Sequence, residues 1–496
     1  MTARQVVVVG GGLAGITAAI ALRDAGLDVT LLESRPWLGG SASSFSRGAL
    51  MVDTGQHVFL RCCESYQELL ARLGASDLVT IQDRFDVTVL SPGRQARLRR
   101  TALPSPLHLS GALARYPLLS LSERARVGRA ALAFRRADPA DPGLDAGRLG
   151  DWLAARGQSE NARRRLWDLF IVSALNIAGD EASVPLAVTV IKTALLGGND
   201  AADIGIASVA LGQIHGTAAA ALLTRLGVQM RLSARVASIQ PLADGGFRVG
   251  LTPGRAPVLG DTDQAGDSDA GASQESGAGQ ESGASQGETG DSVLADAVVL
   301  AVPAGQAARL GSGASVAHAS DWDRLGYSPI VNVHVVYDRR VTDLPFAAAV
   351  DSPVQWVFDK TRNAGLEAGQ YLAVSLSAAD DYVDVPAARL REEFLPALER
   401  LFPAAAGAGV TDFFVTRERR ATFRQAPGSG ALRPGAATSV PGLVLAGTWT
   451  DTGWPDTMEG AVRSGHNAAQ ELIRELAWLP PASRPADLNP AGTGAS

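Results

Sequence analysis

The sequence is short of cysteine and of long hydrophobic runs, and each shortage excludes a class of protein. Cys62 and Cys63 are the only cysteines among 496 residues. One adjacent pair cannot build a disulfide framework or a zinc site, and we expect Cys62 to be a small buried hydrophobe. Lys192 interrupts the longest apolar candidate, Val184–Leu196, before it reaches the roughly 18 residues of a spanning helix. No charged-then-apolar leader precedes the first motif, so we expect a cytoplasmic protein that is soluble or peripheral on the inner face of the cell membrane.

Negative charge is concentrated in one segment and positive charge in another. The formal net charge is −6, which argues against nucleic acid as a partner. Eight acids and no bases lie between Asp261 and Asp291, so the rest of the chain carries +2. The Arg94–Arg165 block holds 15 arginines against 6 acids, a local +9. Such a block is typical of a solvated face, and it is also a candidate surface for anionic lipid.

Composition predicts a large globular chain with one insert and one tail that do not fold. Apolar residues make up 46% and charged residues 19%, so the chain can bury a large core. Residues 254–292 are mostly Gly, Ser, Ala, Gln, Asp and Glu, which predicts a disordered acidic insert. Strands predicted on either side, Phe247–Leu251 and Leu294–Val302, place the insert inside a domain. Residues 480–496 are rich in Pro, Ala and Gly and predict a disordered tail.

The chain opens with a β-α-β pattern. Arg4–Val9 is a β-branched run bounded by three glycines, which predicts a buried parallel strand. Leu13–Ala25 has helical composition and ends at Gly26, a residue typical of helix C-termini. Asp28–Glu33 predicts the second strand. The pattern therefore predicts a Rossmann-like unit at the start of the chain.

Gly10, Gly12 and Gly15 form a GxGxxG pattern between the first strand and the helix. The glycines permit a tight turn, close approach to a pyrophosphate and close helix–strand packing, while the helix N-terminus attracts the anion. Glu33 follows Gly15 by 18 residues, a spacing suited to bonding a ribose hydroxyl. The alternative is an ordinary glycine-rich turn, but the flanking strand, helix and acid favour FAD or NAD.

The residues after Glu33 favour FAD. Ser34-Arg35 and Gly39-Gly40 resemble the extended FAD fingerprint of the amine oxidase and carotenoid desaturase superfamily. Arg35 can neutralise phosphate charge, and the diglycine lets the backbone lie against the cofactor.

Two segments near the C-terminus resemble the closing flavin segment of the same superfamily. They are Ala446–Thr450 and Pro455–Ala461. In the superfamily a helix N-terminus here points at the polar edge of the flavin, where the reduced ring is negative. Thr448 stands where the superfamily usually has an acid, so Asp451 or a water would have to supply the usual ribityl contact.

Five further segments narrow the resemblance to one family. They are Asp53-Thr54-Gly55-Gln56-His57-Val58, Trp167 with Ala174-Leu175-Asn176, Val331-Asn332-Val333-His334, Gln355-Trp356-Val357-Phe358-Asp359 and Thr452-Gly453-Trp454-Pro455. In this order they resemble the hydroxysqualene dehydroxylase family, the squalene-associated FAD enzymes of bacterial hopanoid pathways. The resemblance covers nearly the whole chain apart from the insert and the tail. It implies FAD as cofactor, reductive conversion of hydroxysqualene to squalene, and synthases of the squalene pathway as candidate partners.

The resemblance also implies a set of cofactor contacts, with no metal among them. The implied FAD-binding residues are Gly10, Gly12, Leu13, Ala14, Gly15, Glu33, Ser34, Arg35, Gly39, Gly40, Gly55, Gln56, Val236, Gly447, Thr448 and Met458.

Candidate catalytic and substrate-binding residues lie in the segments expected beside the flavin. Removing an allylic hydroxyl requires a proton donor, and His57 and Asp451 are candidates. The alternatives are a neutral His57 bonded to backbone and an Asp451 that caps a turn or contacts the flavin. Trp356, Trp449 and Trp454 can line a tunnel and face an allyl cation, although aromatic residues of this kind are equally often core.

Two other functions fit the same fold. A carotenoid-type desaturase also needs FAD and an apolar tunnel. A non-catalytic prenyl-lipid carrier typically lacks the phosphate glycines and the diglycine, all of which are present here. A C30 hydrocarbon substrate is confined to membranes, so the Arg94–Arg165 block, with the Leu/Tyr clusters of Leu107–Leu121, predicts peripheral membrane attachment.

The motif positions predict an α/β protein of two interleaved parts. Residues 1–80, 205–310 and 425–475 are predicted to form a discontinuous Rossmann-like FAD-binding domain. Residues 81–204 and 311–424 are predicted to form an α+β substrate-binding domain, the first segment mostly helical and the second mostly strands. The substrate cavity is then expected at the interface between the two parts.

Overall fold

A computed structural model describes residues 4–252 and 291–478 of the chain. The predicted insert 254–292 lies outside these residues except for Asp291 and Ser292, and the predicted tail lies outside them entirely. Ser292 already begins a strand, because it pairs with Gly250. The strand after the insert therefore starts two residues earlier than predicted.

Within the described residues the chain forms β-strands of 3 to 14 residues. The strands are β1 (Gln5–Val9), β2 (Asp28–Leu32), β3 (Ser44–Arg47), β4 (Leu50–Asp53), β5 (Val58–Leu60), β6 (Val79–Ile81), β7 (Asp86–Ser91), β8 (Arg94–Arg99), β9 (Ile204–Ala207), β10 (Gln229–Arg231), β11 (Val236–Pro241), β12 (Phe247–Leu251), β13 (Ser292–Ala295), β14 (Ala297–Leu300), β15 (Tyr327–Tyr337), β16 (Phe346–Ala349), β17 (Trp356–Asp359), β18 (Gln370–Leu376), β19 (Val410–Phe423) and β20 (Leu443–Leu445).

The α-helices are spread along the described residues, and six of them lie between residues 110 and 190. They are α1 (Leu13–Asp24), α2 (Glu64–Leu73), α3 (Ser110–Ala114), α4 (Leu121–Arg136), α5 (Leu149–Ala154), α6 (Glu160–Ala162), α7 (Asp168–Leu175), α8 (Val184–Val190), α9 (Ala219–Arg225), α10 (Ala304–Gly313), α11 (Ala387–Leu401), α12 (Ser429–Leu432) and α13 (Met458–Leu476). Three π-helical segments continue these helices: Arg163–Trp167 joins α6 to α7, Ile191–Leu195 extends α8, and Gly212–Ala218 precedes α9. Short 3₁₀ turns are Ser76–Leu78, Leu107–Leu109, Pro142–Leu144, Gly179–Glu181, Ala319–Leu325, Ala379–Asp381 and Pro403–Ala405.

The Rossmann-like part is built on a five-stranded parallel sheet of order β10-β2-β1-β14-β20. Val6–Val9 of β1 are all buried, as expected for a strand that is covered on both faces. Helix α13 packs so closely on α1 that a Cβ at Gly465 would lie 2.4 Å from the Ala14 carbonyl oxygen. A second, antiparallel sheet of order β11-β12-β13 lies beside it. The predicted α/β fold with a Rossmann-like FAD-binding part is confirmed.

The second part is built on a seven-stranded sheet of order β19-β15-β18-β17-β16-β7-β8. Its strands come from residues 86–99 and 327–423, the two segments predicted for the substrate-binding part. Apolar residues of α11 pack with one face of this sheet in a single cluster. Phe346, Trp356 and Phe358 lie on the other face. Phe346 and Phe358 belong to the cluster that contains residues of helices α4 to α8, and Trp356 packs against that cluster. The domain bounds themselves stay a prediction.

None of the helices in 4–252 and 291–478 is both long enough and apolar enough to cross a bilayer.

Candidate active site

The glycine turn after β1 is shaped by neighbours that leave no room for side chains. Gly10 has a φ of +108°, and a Cβ there would lie 2.2 Å from the Ala301 carbonyl oxygen. A Cβ at Gly15 would lie 1.9 Å from the Gly10 carbonyl oxygen. Gly12 differs, because a Cβ there would meet only the Gly40 Cα atom at 3.9 Å. The space beside Gly12 is a cradle that a Cβ would fill, which fits a pyrophosphate.

Helix α1 begins at this cradle with free donors. Leu13, Ala14 and Gly15 form its first turn, and in the described part of the chain no side chain caps the helix at Gly12. Uncapped N–H groups at a helix N-terminus are an anion site. The predicted phosphate contacts of Leu13 and Ala14 therefore have the backbone geometry that they need.

Glu33 lies at the end of β2 beside the turn. Its Oε2 accepts a hydrogen bond from the Gly11 N–H at 2.6 Å, and its Oε1 accepts one from the Arg35 N–H at 2.7 Å and one from the Ser34 hydroxyl at 3.1 Å. These bonds fix the carboxylate next to the glycine turn, where a ribose hydroxyl can reach it. Ala234, two residues before Val236, donates its N–H to the Glu33 carbonyl oxygen at 2.8 Å.

The diglycine brings a second loop against the glycine turn. The Gly39 N–H donates to the Gly11 carbonyl oxygen at 2.9 Å, and the Cα of Gly12 lies 3.0 Å from where a Gly40 Cβ would stand. Arg35 Nη1 donates to the Gly40 carbonyl oxygen at 3.3 Å, and its side chain is exposed. The structure thus joins the two predicted halves of the FAD fingerprint in one place.

One buried guanidinium organises the closing segment, residues 446–461. Arg433 Nη2 donates to the carbonyl oxygens of Thr448, Thr450 and Trp454 at 3.1, 2.6 and 2.9 Å. Gly447 before them has a φ of +138°, and a Cβ there would lie 2.5 Å from the Trp449 Nε1 atom. The fold of this loop is therefore set by Arg433, a residue that sequence reasoning missed.

Asp456 links the closing segment to the end of β19. Its Oδ2 accepts the Phe423 N–H at 2.9 Å, and its own N–H donates to Gln425 Oε1 at 3.1 Å. Burial raises the pKa of Asp456 to about 6, while the Thr448 hydroxyl and Arg433 lower it in part. The Thr448 hydroxyl therefore hydrogen-bonds the Asp456 carboxyl group.

An apolar cavity of about 1340 Å³, its open mouth included, lies between the helical layer, the seven-stranded sheet and the closing segment. Its lining includes Leu169, Phe170, Val190 and Ala194 from the helices, Phe346, Trp356 and Phe358 from the sheet, and Trp454, Pro455 and Met458 from the closing segment. Gln56 also lines it, and the Gln56 Oε1 atom is buried with no hydrogen-bond partner among the described residues. The cavity therefore ends on residues that were predicted to contact flavin.

The structure separates the three predicted tryptophans. Trp356 and Trp454 line the cavity; Trp356 Nε1 donates to the Ser173 hydroxyl at 2.7 Å. Trp449 is buried in the core, where its Nε1 donates to the Val302 carbonyl oxygen at 2.9 Å. It contributes nothing to the described cavity wall, because its ring packs against Trp322.

The two predicted proton donors lie outside the cavity lining. Asp451 is exposed, and its Oδ1 accepts the Gly453 N–H at 3.1 Å, so it caps a turn. His57 Nδ1 lies 3.1 Å from the Gly55 carbonyl oxygen, and burial lowers its pKa. Both arrangements correspond to the alternative roles considered for these residues.

Sequence reasoning missed the three titratable side chains of the described cavity wall: Cys62, Cys63 and Glu459. Cys62 is half-buried at the cavity and not enclosed in the core, whereas Cys63 is buried. Glu459 lies in the first turn of α13, and its oxygens accept the N–H groups of Ser65 and Tyr66 at 3.3 and 2.8 Å. The sequence signals were weak, since a cysteine pair and one acid in a flavin segment have many structural explanations.

Comparison with known proteins identifies the family. The family model for flavin-containing amine oxidoreductases matches residues 13–265 and 274–473. The chain belongs to this family. It is an FAD-dependent oxidoreductase, and the cradle at Gly12, the free donors of α1 and the carboxylate of Glu33 are suited to hold that cofactor.

Similar proteins extend along the whole chain. Hydroxysqualene dehydroxylases of Rhodopseudomonas palustris and Sinorhizobium fredii are 29% and 28% identical, each over 95% of this chain and 98% and 99% of the relative. Zeta-carotene desaturase of Zea mays is 24% identical over 94% of this chain and 82% of the relative. The solved structure of cyclohexylamine oxidase from Brevibacterium oxydans has a TM-score of 0.63 at 20% identity, covering 96% of this chain and all of that one, and shares the fold.

Proposed function

We propose that this enzyme removes the hydroxyl group of hydroxysqualene reductively and releases squalene. The observation that carries the proposal is the end-to-end similarity to two hydroxysqualene dehydroxylases, higher in identity than to the zeta-carotene desaturase. The large apolar cavity supports an isoprenoid substrate, because a hydrocarbon chain gains about 25 cal/mol per Å² of surface that it buries.

The residues of this chain bind and orient the substrate. FAD, when reduced and bound, supplies the hydride that replaces the hydroxyl. Trp356 and Trp454 line the cavity, and an aromatic ring can stabilise a carbon that becomes positive as the C–O bond weakens. The unpartnered Gln56 Oε1 can accept the hydrogen of the substrate hydroxyl, because buried polar atoms are normally paired.

Product analysis tests the proposal. Holoenzyme reduced anaerobically with dithionite is incubated with hydroxysqualene, and squalene is quantified by gas chromatography. Oxidised holoenzyme is the control and is expected to form none. Absence of squalene from the reduced enzyme contradicts the proposal.

The second candidate is an oxidative desaturase, which the similarity to zeta-carotene desaturase favours. Incubating oxidised holoenzyme with phytoene and zeta-carotene separates the two. New double bonds in these substrates, together with unreacted hydroxysqualene, would establish the desaturase.

We also propose that the enzyme attaches to the cytoplasmic membrane surface through the Arg94–Arg165 block. Exposed leucines support this attachment: Leu121 is 79% exposed, Leu107 55%, Leu103 48% and Leu132 46%. Arg126 and Arg129 of α4 are exposed, whereas Arg124 is half-buried and donates to the Leu119 and Ala114 carbonyl oxygens. Each exposed arginine near an anionic bilayer contributes about 1 kcal/mol of binding free energy.

A synthase partner stays a prediction from the family resemblance.

Flotation with vesicles tests the attachment. The Arg126→Gln/Arg129→Gln/Leu121→Ser variant is expected to bind phosphatidylglycerol vesicles at least about tenfold more weakly than wild type. Arg225→Gln/Arg400→Gln, which changes two exposed arginines outside the block, is the matched control. Equal binding by the two variants contradicts the proposal.

A further inference from the structure

The proposed reaction consumes a proton at the substrate oxygen, so some group at the cavity must supply it. Among the cavity-lining residues in the described part of the chain, the titratable ones are Cys62, Cys63 and Glu459. The two donors predicted from the sequence, His57 and Asp451, lie outside that lining. The candidate proton donors in this lining are therefore two thiols and one carboxyl group.

Both carboxylate oxygens of Glu459 already accept hydrogen bonds. Its Oε1 accepts from Arg463 Nε at 2.7 Å and from the Ser65 N–H, and its Oε2 accepts from the Tyr66 N–H. The side chain is fully buried in this ion pair. Both carboxylate oxygens are therefore already occupied as acceptors, by the first N–H groups of α2 and by Arg463, and neither is left to bond the substrate hydroxyl.

The two thiols remain, and the backbone fixes both at the cavity. The Cys62 N–H donates to the Ala201 carbonyl oxygen at 3.0 Å, and the Cys63 N–H donates to the Leu60 carbonyl oxygen at 2.8 Å. Cys63 is the residue before the first turn of α2. Cys62 is the more exposed of the pair, so its thiol is the one that a substrate can reach.

The neighbours of Cys62 shift the pKa of its thiol in both directions. The Cys63 thiol lowers the pKa of Cys62, and burial opposes this effect. The carboxylates of Glu459 in α13 and Glu64 in α2 raise that pKa. The pKa of Cys63 is raised by Cys62 and by burial, so Cys63 is the thiol of the pair that holds its hydrogen to higher pH.

We propose that Cys62 is the catalytic acid and that Cys63 is its positioning partner, an inference that rests on the proposed dehydroxylation. The Cys62 S–H bond breaks as an O–H bond forms on the substrate hydroxyl. The substrate C–O bond then breaks and water leaves; reduced FAD, when bound, would supply the hydride that the carbon needs. Solvent reprotonates the Cys62 thiolate, and the cavity is ready for the next substrate.

Variants of the reduced holoenzyme test this role. Cys62→Ser keeps the size of the side chain but offers a hydroxyl that is a much weaker acid, and we expect kcat for squalene formation to fall about 10²-fold or more. In wild type, kcat falls as pH rises through the pKa of the thiol, and Cys62→Ser loses this alkaline limb. Cys63→Ala removes the group that stabilises the thiolate, so its alkaline limb moves to higher pH with a smaller loss of rate.

A measurement that does not depend on turnover accompanies these variants. The rate at which N-ethylmaleimide alkylates the holoenzyme at different pH values gives the pKa of Cys62, which should coincide with the alkaline limb of kcat and shift upward in Cys63→Ala. Flavin content and Tm establish that each variant is folded. If Cys62→Ser does not retain flavin, the agreement between the two wild-type pKa values decides instead.

The outcomes separate this inference from the proposed function. Wild-type enzyme that forms no squalene overturns the function. Wild-type enzyme that is active, with Cys62→Ser within about threefold of it and an unchanged alkaline limb, overturns the role of Cys62 alone. Disagreement between the alkylation pKa and the kinetic limb does the same.

Discussion

Gly12 and Gly15 belong to one motif but serve different purposes, which substitution by alanine should separate. At Gly15 a Cβ would lie 1.9 Å from the Gly10 carbonyl oxygen, so Gly15→Ala should destabilise the apoprotein by roughly 1–3 kcal/mol. At Gly12 the φ of −75° accepts alanine and the nearest atom is 3.9 Å away. Gly12→Ala should therefore keep the Tm of the apoprotein and weaken FAD binding about tenfold or more, because the Cβ occupies the pyrophosphate cradle.

Thermal unfolding of apoprotein and titration with FAD distinguish the two effects. Gly128→Ala in α4 is the control, since a Cβ there meets nothing within 4 Å. It should leave FAD binding unchanged. A Gly12→Ala variant that binds FAD as wild type does would show that the cofactor phosphates lie elsewhere.

Single residues also show which parts of the site could be predicted from the sequence. The spacing of glycines and Glu33 predicted the cofactor turn, because that chemistry is local. Trp449 and Trp454 lie five positions apart in the same segment, yet one packs against Trp322 and the other lines the cavity. Nothing in their local sequence distinguishes them. Arg433 holds the backbone carbonyl of Trp454 and the Val302 carbonyl oxygen holds the Trp449 ring, and both partners lie outside the segment.

At the scale of elements, the closing segment carries a pH dependence. The pKa of Asp456 is raised from 3.8 to about 6 by burial, so the folded protein holds this proton more tightly than the unfolded chain. Below about pH 4 Asp456 is protonated in both states and does not lower the free energy of unfolding. As pH rises through 6 the buried carboxyl group must ionise, which lowers the free energy of unfolding by up to about 3 kcal/mol. Asp456→Asn keeps a side-chain oxygen for the Phe423 N–H and should be more stable than wild type at pH 8, with the difference vanishing near pH 4.

Urea unfolding of apoprotein across pH 4 to 8 measures this difference. Asp451→Asn is the matched variant in the same segment, because that carboxylate is exposed and caps a turn. It should show no such gain at pH 8. An Asp456→Asn variant that is less stable than wild type at pH 8 would contradict the assignment of a desolvated acid.

Elements were predictable where one periodicity dominates. The first strand, helix and second strand were predicted within one or two residues, since β-branched runs and a terminal glycine specify them. The segment Leu294–Val302 was predicted as one strand, but Asp296 divides it into β13 and β14, which lie in different sheets. The π-helical segments carried no sequence signal, because their register depends on packing between helices.

At the scale of the whole molecule, the existence of the cavity could be predicted from the sequence, but the residues of its wall could not. Its wall combines Phe85 with residues from 56–63, 169–204, 346–377 and 454–459, which only the folded chain brings together. Sequence order predicted that two interleaved parts would enclose an interface. The identity of the titratable wall residues followed only from the structure.

The position of the insert leads to a prediction about the whole chain. β12 and β13 pair antiparallel, and the Leu251 N–H donates to the Asp291 carbonyl oxygen at 2.9 Å, so the chain leaves and re-enters the sheet at one place. Replacing residues 254–290 by Asn-Gly would close these strands with a short hairpin. It removes seven acids and one arginine, which changes the net charge from −6 to 0.

The shortened protein should fold, bind FAD and keep wild-type turnover. Loop-closure entropy falls by about 0.6 kcal/mol for each halving of the loop, so roughly three halvings should stabilise the chain by about 2 kcal/mol. Calorimetry should therefore give a Tm equal to or above that of wild type, and a variant with a scrambled insert should match wild type. Loss of flavin or a lower Tm in the shortened protein, with the scrambled variant unaffected, would mean that the length of the insert supports the fold of the FAD-binding part.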